Sequence, residues 1–189
     1  MSAQTRRITA LLAAMMLAAC AGGSALEAVG LRKAPEVADA MKPARNVSIR
    51  LHAAKQLNTD AKGRPLAVVA RIYKLRQDAT FRQAPYDAFL DPQREKEAFG
   101  ADLVEVREVM LVPGQRYEAV EKVSREAYFV GVVALFHSPA QQAWRLAYAA
   151  DGAGRDGITV GLHACGLSTG AGTPALGDGQ KLRSPVPCQ

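Results

Sequence analysis

The chain has 189 residues, 49% hydrophobic and 6% aromatic, with a formal net charge of +6. That length holds one domain and a workable core once any leader is removed. The positive charges are scattered: no run of five or more basic residues forms the stripe that nucleic acid requires, so nucleic acid is excluded as a partner.

Residues 1–20 read as a lipoprotein signal peptide. Arg6 and Arg7 form a positive start, and Ile8–Leu17 an apolar segment. About ten apolar residues make a helix of roughly 15 Å, half a bilayer core, which is a signal peptide and not a membrane span. Leu17-Ala18-Ala19-Cys20 resembles the bacterial lipobox. Small residues suit a signal peptidase pocket, and the cysteine thiolate takes up the lipid. The alternative is an ordinary Ala-x-Ala leader with a chance cysteine. By analogy with bacterial lipoproteins Cys20 carries three acyl chains. At about 0.8 kcal/mol per buried CH₂ that anchorage is effectively permanent. Ala21, where Asp would favour inner-membrane retention, points to the outer membrane, with the domain facing the periplasm. No other cofactor is expected.

With Cys20 acylated, Cys165 and Cys188 remain in an oxidising compartment and are expected to pair. Closing a loop of about 23 residues stabilises by roughly 3 kcal/mol in the chain-entropy model. The alternative is two free thiols, with Cys188 fraying at the terminus.

Residues 21–45, with Gly22, Gly23, Pro35 and Pro43, read as a tether that lets a domain stand off the membrane. The domain is predicted over 46–167. Val47, Ile49, Leu51 and Ala53 alternate with Ser48, Arg50 and His52, the period of a half-buried strand. Gln56–Pro65 is a polar loop with Asn58, Asp60, Gly63 and Pro65 as turn formers. Leu66–Leu75 is a second strand. Residues 78–100 change character and suggest one or two short helices broken near Pro92 and stopped at Gly100. Asp102–Val112 and Arg116–Val123 read as a hairpin turned at Pro113-Gly114. Ala127–Phe136 is a near-continuous apolar run, the most buried strand. Trp144–Ala149 follows, then a Gly/Asp turn over Asp151–Gly157 and a last strand, Ile158–Leu167. Residues 168–189 form a Gly/Pro-rich tail. About seven short strands with one helical insertion predict a mainly β, two-sheet sandwich.

Catalytic motifs fail on context. Gly166-Leu167-Ser168-Thr169-Gly170 matches G-x-S-x-G, but Ala171-Gly172-Thr173-Pro174 will not start the required helix and no histidine follows. Gly152-Ala153-Gly154-Arg155-Asp156-Gly157 matches a dinucleotide fingerprint, but a strand follows it, so a hairpin turn is expected. His163 and Cys165 would share a strand face, yet no second His/Cys cluster completes a metal site. His52 and His137 are expected at the surface. Glu95/Glu97 and Glu105/Glu108 read as solvated charge. No catalytic residue and no metal ligand is assigned.

Several stretches together resemble one family. They are Ser48-Ile49-Arg50-Leu51-His52-Ala53-Ala54, Leu57-Asn58-Thr59-Asp60, and Gly63-Arg64-Pro65-Leu66 continuing through Arg71-Ile72-Tyr73-Lys74-Leu75. Pro113-Gly114-Gln115, Tyr128-Phe129-Val130-Gly131-Val132-Val133-Ala134 and Gln142-Ala143-Trp144-Arg145 follow in order. The order is similar to that of the TssJ (VasD-like) outer-membrane lipoproteins of type VI secretion systems, from about Asn46 to Arg145. The resemblance implies a transthyretin-like sandwich with an added helical element. It also implies docking, in multiple copies within a larger complex, onto the periplasmic C-terminal region of the inner-membrane protein TssM. The partner-binding loop carried over is Gln56, Leu57, Asn58, Asp60, Gly63, Arg64 and Pro65. A polar loop held between strands is a suitable recognition surface. The rival readings are a hydrolase, which three dispersed histidines and a Pro-Val-Pro-Cys-Gln end argue against, and a small-ligand-binding envelope lipoprotein.

Overall fold

The computed structural model describes residues 38–141, 143–174 and 188. The leader with Cys20, the tether up to residue 37, Gln142 and most of the tail lie outside the described residues. In chain order come β1 (Arg45–Ala53), β2 (Val68–Leu75), α1 (Ala79–Gln83), α2 (Pro92–Phe99), β3 (Leu103–Leu111) and β4 (Arg116–Val123). Then come β5 (Phe129–Ala134), β6 (Arg145–Ala149), α3 (Ala150–Asp156), β7 (Ile158–Leu162) and β8 (Leu167–Thr169).

The strands form two four-stranded sheets, ordered β4-β1-β7-β8 and β3-β2-β5-β6. β1 runs parallel to β7, with Ile49 opposite Ile158 and Leu51 opposite Val160, and antiparallel to β4. Period-two alternation decides the layering. Val47, Ile49 and Leu51 of β1 and Ile158, Val160 and Leu162 of β7 are fully buried on one face. They meet Ala70, Ile72, Val130, Val132 and Leu146 of the second sheet, which are equally inaccessible. The expected two-sheet sandwich is therefore present, with eight strands among the described residues instead of seven.

Charge closes one seam between the sheets. β3 and β4 are edge strands of different sheets. Between them the buried Lys74 ammonium lies 2.8 Å from Glu105 and 3.3 Å from Glu121, and Glu121 accepts from Arg107 at 2.6 Å. Each buried charge has an opposite partner, the condition under which such groups are tolerated in a core.

Four sequence expectations change. β3 and β4 do not form a hairpin: β3 pairs with β2, and β4 with β1. The Pro113-Gly114 turn is held by the end of β1, since Gly114 N–H donates to Ala54 O and Ala53 N–H to Gln115 O. The chain is thereby passed from one sheet to the other. The Gly/Asp segment is not a tight turn but α3, with Ala150 and Ala153 buried on one side. It joins β6 of one sheet to β7 of the other, and layers about 10 Å apart need a longer connection than a hairpin. The last strand is two, β7 and β8, with His163 and Cys165 in the turn between them instead of on a strand face. The sheet thus runs to Thr169, past residue 167. Finally, Glu95 is buried, not solvated: its side chain is 8% exposed and lies 2.9 Å from Arg71.

That ion pair helps seat the helical insertion on the outer face of the second sheet. Asp91 caps α2 by accepting from the N–H groups of Gln93 and Arg94, Pro92 occupies the first turn, and Gly100 at φ 46° ends it. Arg71 on β2 donates to Phe89 O and Glu95 Oε2, both at 2.9 Å, and to Glu108 at 2.6 Å. Phe81, Phe89 and Phe99 pack around Tyr73 at ring separations of 5.4, 5.9 and 6.0 Å. Arg145 stacks on Trp144 at 4.5 Å and donates to the carbonyls of Phe81 and Ala84.

Gly131 on β5 is where Phe81 comes down on the sheet. A Cβ there would lie 2.5 Å from Phe81 Cζ and 2.8 Å from Cε2. Phe81 is fully buried among other rings and has nowhere to retreat. Gly131→Ala is expected to destabilise the domain by about 1–3 kcal/mol, read as a lowered urea midpoint with unchanged slope.

Candidate functional site

The loop that the sequence marks out sits at one end of the sandwich, between β1 and β2. Its first turn is bonded to the β7–β8 turn: Asn58 N–H donates to His163 O at 3.0 Å and Thr59 N–H to Ala164 O at 2.9 Å. Asn58 then ties two loops together. Its amide donates to Ala67 O at 2.6 Å, and its Oδ1 accepts from the His137 N–H, also at 2.6 Å. The residue has φ 47°, a left-handed conformation that Asn tolerates better than most side chains. The β5–β6 loop is also fixed to the β7–β8 turn through Ala140 N–H and Cys165 O at 2.8 Å.

The tip is organised by Asp60. Its Oδ1 accepts from the N–H groups of Lys62 and Arg64 at 2.9 Å, and its Oδ2 takes the Arg64 guanidinium at 2.8 and 2.7 Å. The Arg64 N–H and then its guanidinium hold the Asp60 carboxyl below its ordinary 3.8. The predicted residues thus separate by burial. Leu57 is fully buried and Asn58 5% exposed, so these two support the loop from inside and do not face solvent. Gln56, Gly63, Arg64 and Pro65 are exposed and Asp60 half-buried.

Cys165 is joined to Cys188, with Cα atoms 5.7 Å apart. The bond fixes Cys188 to the β7–β8 turn, whose His163 and Ala164 carbonyls accept from Asn58 and Thr59.

Residues 38–44 lead into the opposite end. β1 starts there, and nine residues at about 3.3 Å each separate the two ends by roughly 30 Å. Arg45 is nearly buried, donates to Asp151 at 2.6 Å, and reaches the Ser124 and Ala127 carbonyls at 3.3 Å. Arg125 donates to Pro43 O at 3.0 Å, and Tyr128 O–H to Asp39 at 2.6 Å. Lys42 and then Tyr128 hold the Asp39 carboxyl below its usual value.

Sequence reasoning missed one polar pair. His163 Nε2 lies 2.7 Å from Ser168 Oγ across the β7–β8 turn. The only signal was the five-residue spacing over a reversal. Burial holds the His163 imidazole below its ordinary pKa. Ser168 lies on a strand, not on a strand-to-helix elbow. The fingerprint glycines 152–157 lie in α3 and in its stop, ahead of a strand. Among the described residues no group of three metal-ligating side chains converges.

Asn58→Ala removes both side-chain bonds and is expected to cost about 2–3 kcal/mol of unfolding free energy. Asn58→Gly separates bonding from backbone strain: a comparable loss assigns the role to the amide, whereas a neutral Gly assigns it to φ. Replacing Arg64 by Gln should raise the Asp60 carboxyl toward 3.8, seen by NMR titration. Because the folded value is depressed, the Asp60 pairing is fully present above the ordinary carboxylate range. It fades as pH falls through the folded value.

A family model described as type VI secretion lipoprotein, VasD, EvfM, TssJ matches residues 45–165. No curated protein matches the chain. Among solved structures, the T6SS lipoprotein TssJ1 from Pseudomonas aeruginosa is 27% identical with a TM-score of 0.61, covering 69% of this chain and 98% of that one. A chain of a structure described as a type VI membrane complex is 27% identical with a TM-score of 0.61, covering 67% and 98%. A chain of a structure described as the C-terminal domain of the T6SS protein TssM from EAEC is 27% identical with a TM-score of 0.57, covering 66% and 97%. The eight-stranded sandwich and the family match over most of it make this chain a member of the type VI secretion lipoprotein family, with a role in the membrane complex of that system.

Proposed function

We propose that the protein is held in the outer membrane by acyl chains on Cys20, faces the periplasm, and docks its loop end onto the periplasmic C-terminal region of a TssM-like inner-membrane protein. Its task is positional, and no bond is made or broken. The observation that carries the reading is the separation of the two ends. The chain enters the domain where Arg45, Arg125 and Tyr128 strap it down, and the Gln56–Pro65 loop lies a full strand length away. A pull on the anchor is therefore transmitted along β1, in the middle of the first sheet, to the docking loop.

The EAEC structure supports the choice of partner. A chain of the structure described as the TssM C-terminal domain matches two-thirds of this chain, and a chain of the structure described as a type VI membrane complex does the same. Several copies around a ring would add avidity to each contact.

Full-length acylated protein in detergent is expected to retain the periplasmic region of its cognate TssM-like protein on an affinity resin. Failure at physiological salt would overturn the reading. Cys20→Ser should move the protein from the membrane fraction into a detergent-free wash, and persistent membrane association would remove the lipid from the account.

A further inference from the structure

The four segments joined at the loop end are 54–67, 112–116, 135–141 and 163–166, and they share one backbone hydrogen-bond network. Their charge is one-sided. They carry Lys55, Lys62, Arg64 and Arg116, and a single carboxylate, Asp60. Asp60 is already committed to Arg64 and to two backbone N–H groups within its own loop. Lys55, Lys62 and Arg116 are exposed and make no ion pair among the described residues. Elsewhere the pattern is different. Arg45, Arg71, Lys74, Arg76, Arg94 and Arg107 are all matched to carboxylates. Three of the four cations at this end have no ion pair, whereas ten of the fourteen elsewhere among the described residues have one, Lys96, Lys122, Arg145 and Arg155 being the exceptions.

Resting on the docking role proposed above, we infer that the docking surface is wider than the β1–β2 loop and is electropositive. It spans Lys55 and Lys62 of that loop and Arg116 at the β3–β4 turn, and it fits an acidic face on the partner. Arg64 is a lesser contributor, because Asp60 already holds its guanidinium. The Asn58 bridge to His137 keeps the β5–β6 loop at a fixed height beside these cations. Surface charges of this kind steer encounter and fix register. Their effect must fade as salt shortens the screening length.

The test is titration of full-length protein in detergent with the periplasmic TssM-like region at low and at high salt. Wild type is compared with the triple variant Lys55→Glu, Lys62→Glu, Arg116→Glu. Lys122→Glu, exposed on β4 toward the tether end, serves as the control. The triple variant is expected to bind roughly tenfold or more weakly at low salt, with a flatter salt dependence, while Lys122→Glu binds as wild type. Circular dichroism and urea midpoints should be unchanged, since none of the three cations has a partner to lose. Wild-type binding that ignores both salt and the triple reversal overturns the electropositive surface and leaves the docking role standing. Equal weakening by Lys122→Glu reduces the effect to overall charge and also overturns it. No binding by wild type under any salt removes the docking role, and this inference with it.

Discussion

The burial of one face of β1 is the constraint from which the rest follows. Val47, Ile49 and Leu51 have no solvent access, and a slip of one residue would turn them out and bring Ser48, Arg50 and His52 in. The strand is therefore locked in both register and direction. Locking it fixes β4 on one side and β7 on the other. It also fixes where residues 38–44 enter the sandwich and where the next loop departs. Each fully buried aliphatic side chain contributes on the order of 1.5–3 kcal/mol. The geometry relevant to function is thus set by the core and not by the loops themselves.

On that frame the polar interactions divide into two kinds. Some bind layers together: the Lys74, Glu105, Glu121 and Arg107 cluster across the β3/β4 seam, and Arg71 with Glu95 beneath the helical insertion. Others freeze a loop in one shape: Asn58 between two loops, and Asp60 across its own turn. A preformed loop loses less conformational freedom when a partner arrives, so binding keeps more of its contact energy. The β1–β2 loop is rigid by this standard, because six hydrogen bonds or ion contacts from Asn58 and Asp60 side chains converge within it.

Much of this was legible in the residues. β1 announces itself by strict alternation, β5 by an uninterrupted apolar run, and the helical insertion by Pro92 and Gly100 at its limits. The disulfide followed from counting cysteines. Strand pairing was not legible, because a turn dipeptide such as Pro113-Gly114 reverses a chain equally well within a sheet or between two sheets. The contact of Gly114 with the end of β1 that decides the matter is sixty residues away. α3 was missed because Asp and Gly are weak helix formers, and its two buried alanines act through tertiary packing. Within residues 56–65 the inward turn of Leu57 and Asn58 was not legible. An asparagine that staples two loops and one that greets a partner look the same in a sequence. Glu95 was misjudged for a related reason: its burial is imposed by Arg71, on a strand more than twenty residues earlier.

The bond between Cys165 and Cys188 gives the loop end two grades of attachment. A thiol reductant opens the sulfur bridge and releases Cys188 from the β7–β8 turn. The backbone bonds from Asn58 and Thr59 to the same turn are untouched by that chemistry. One fastening of this turn is thus redox-labile and the other is not.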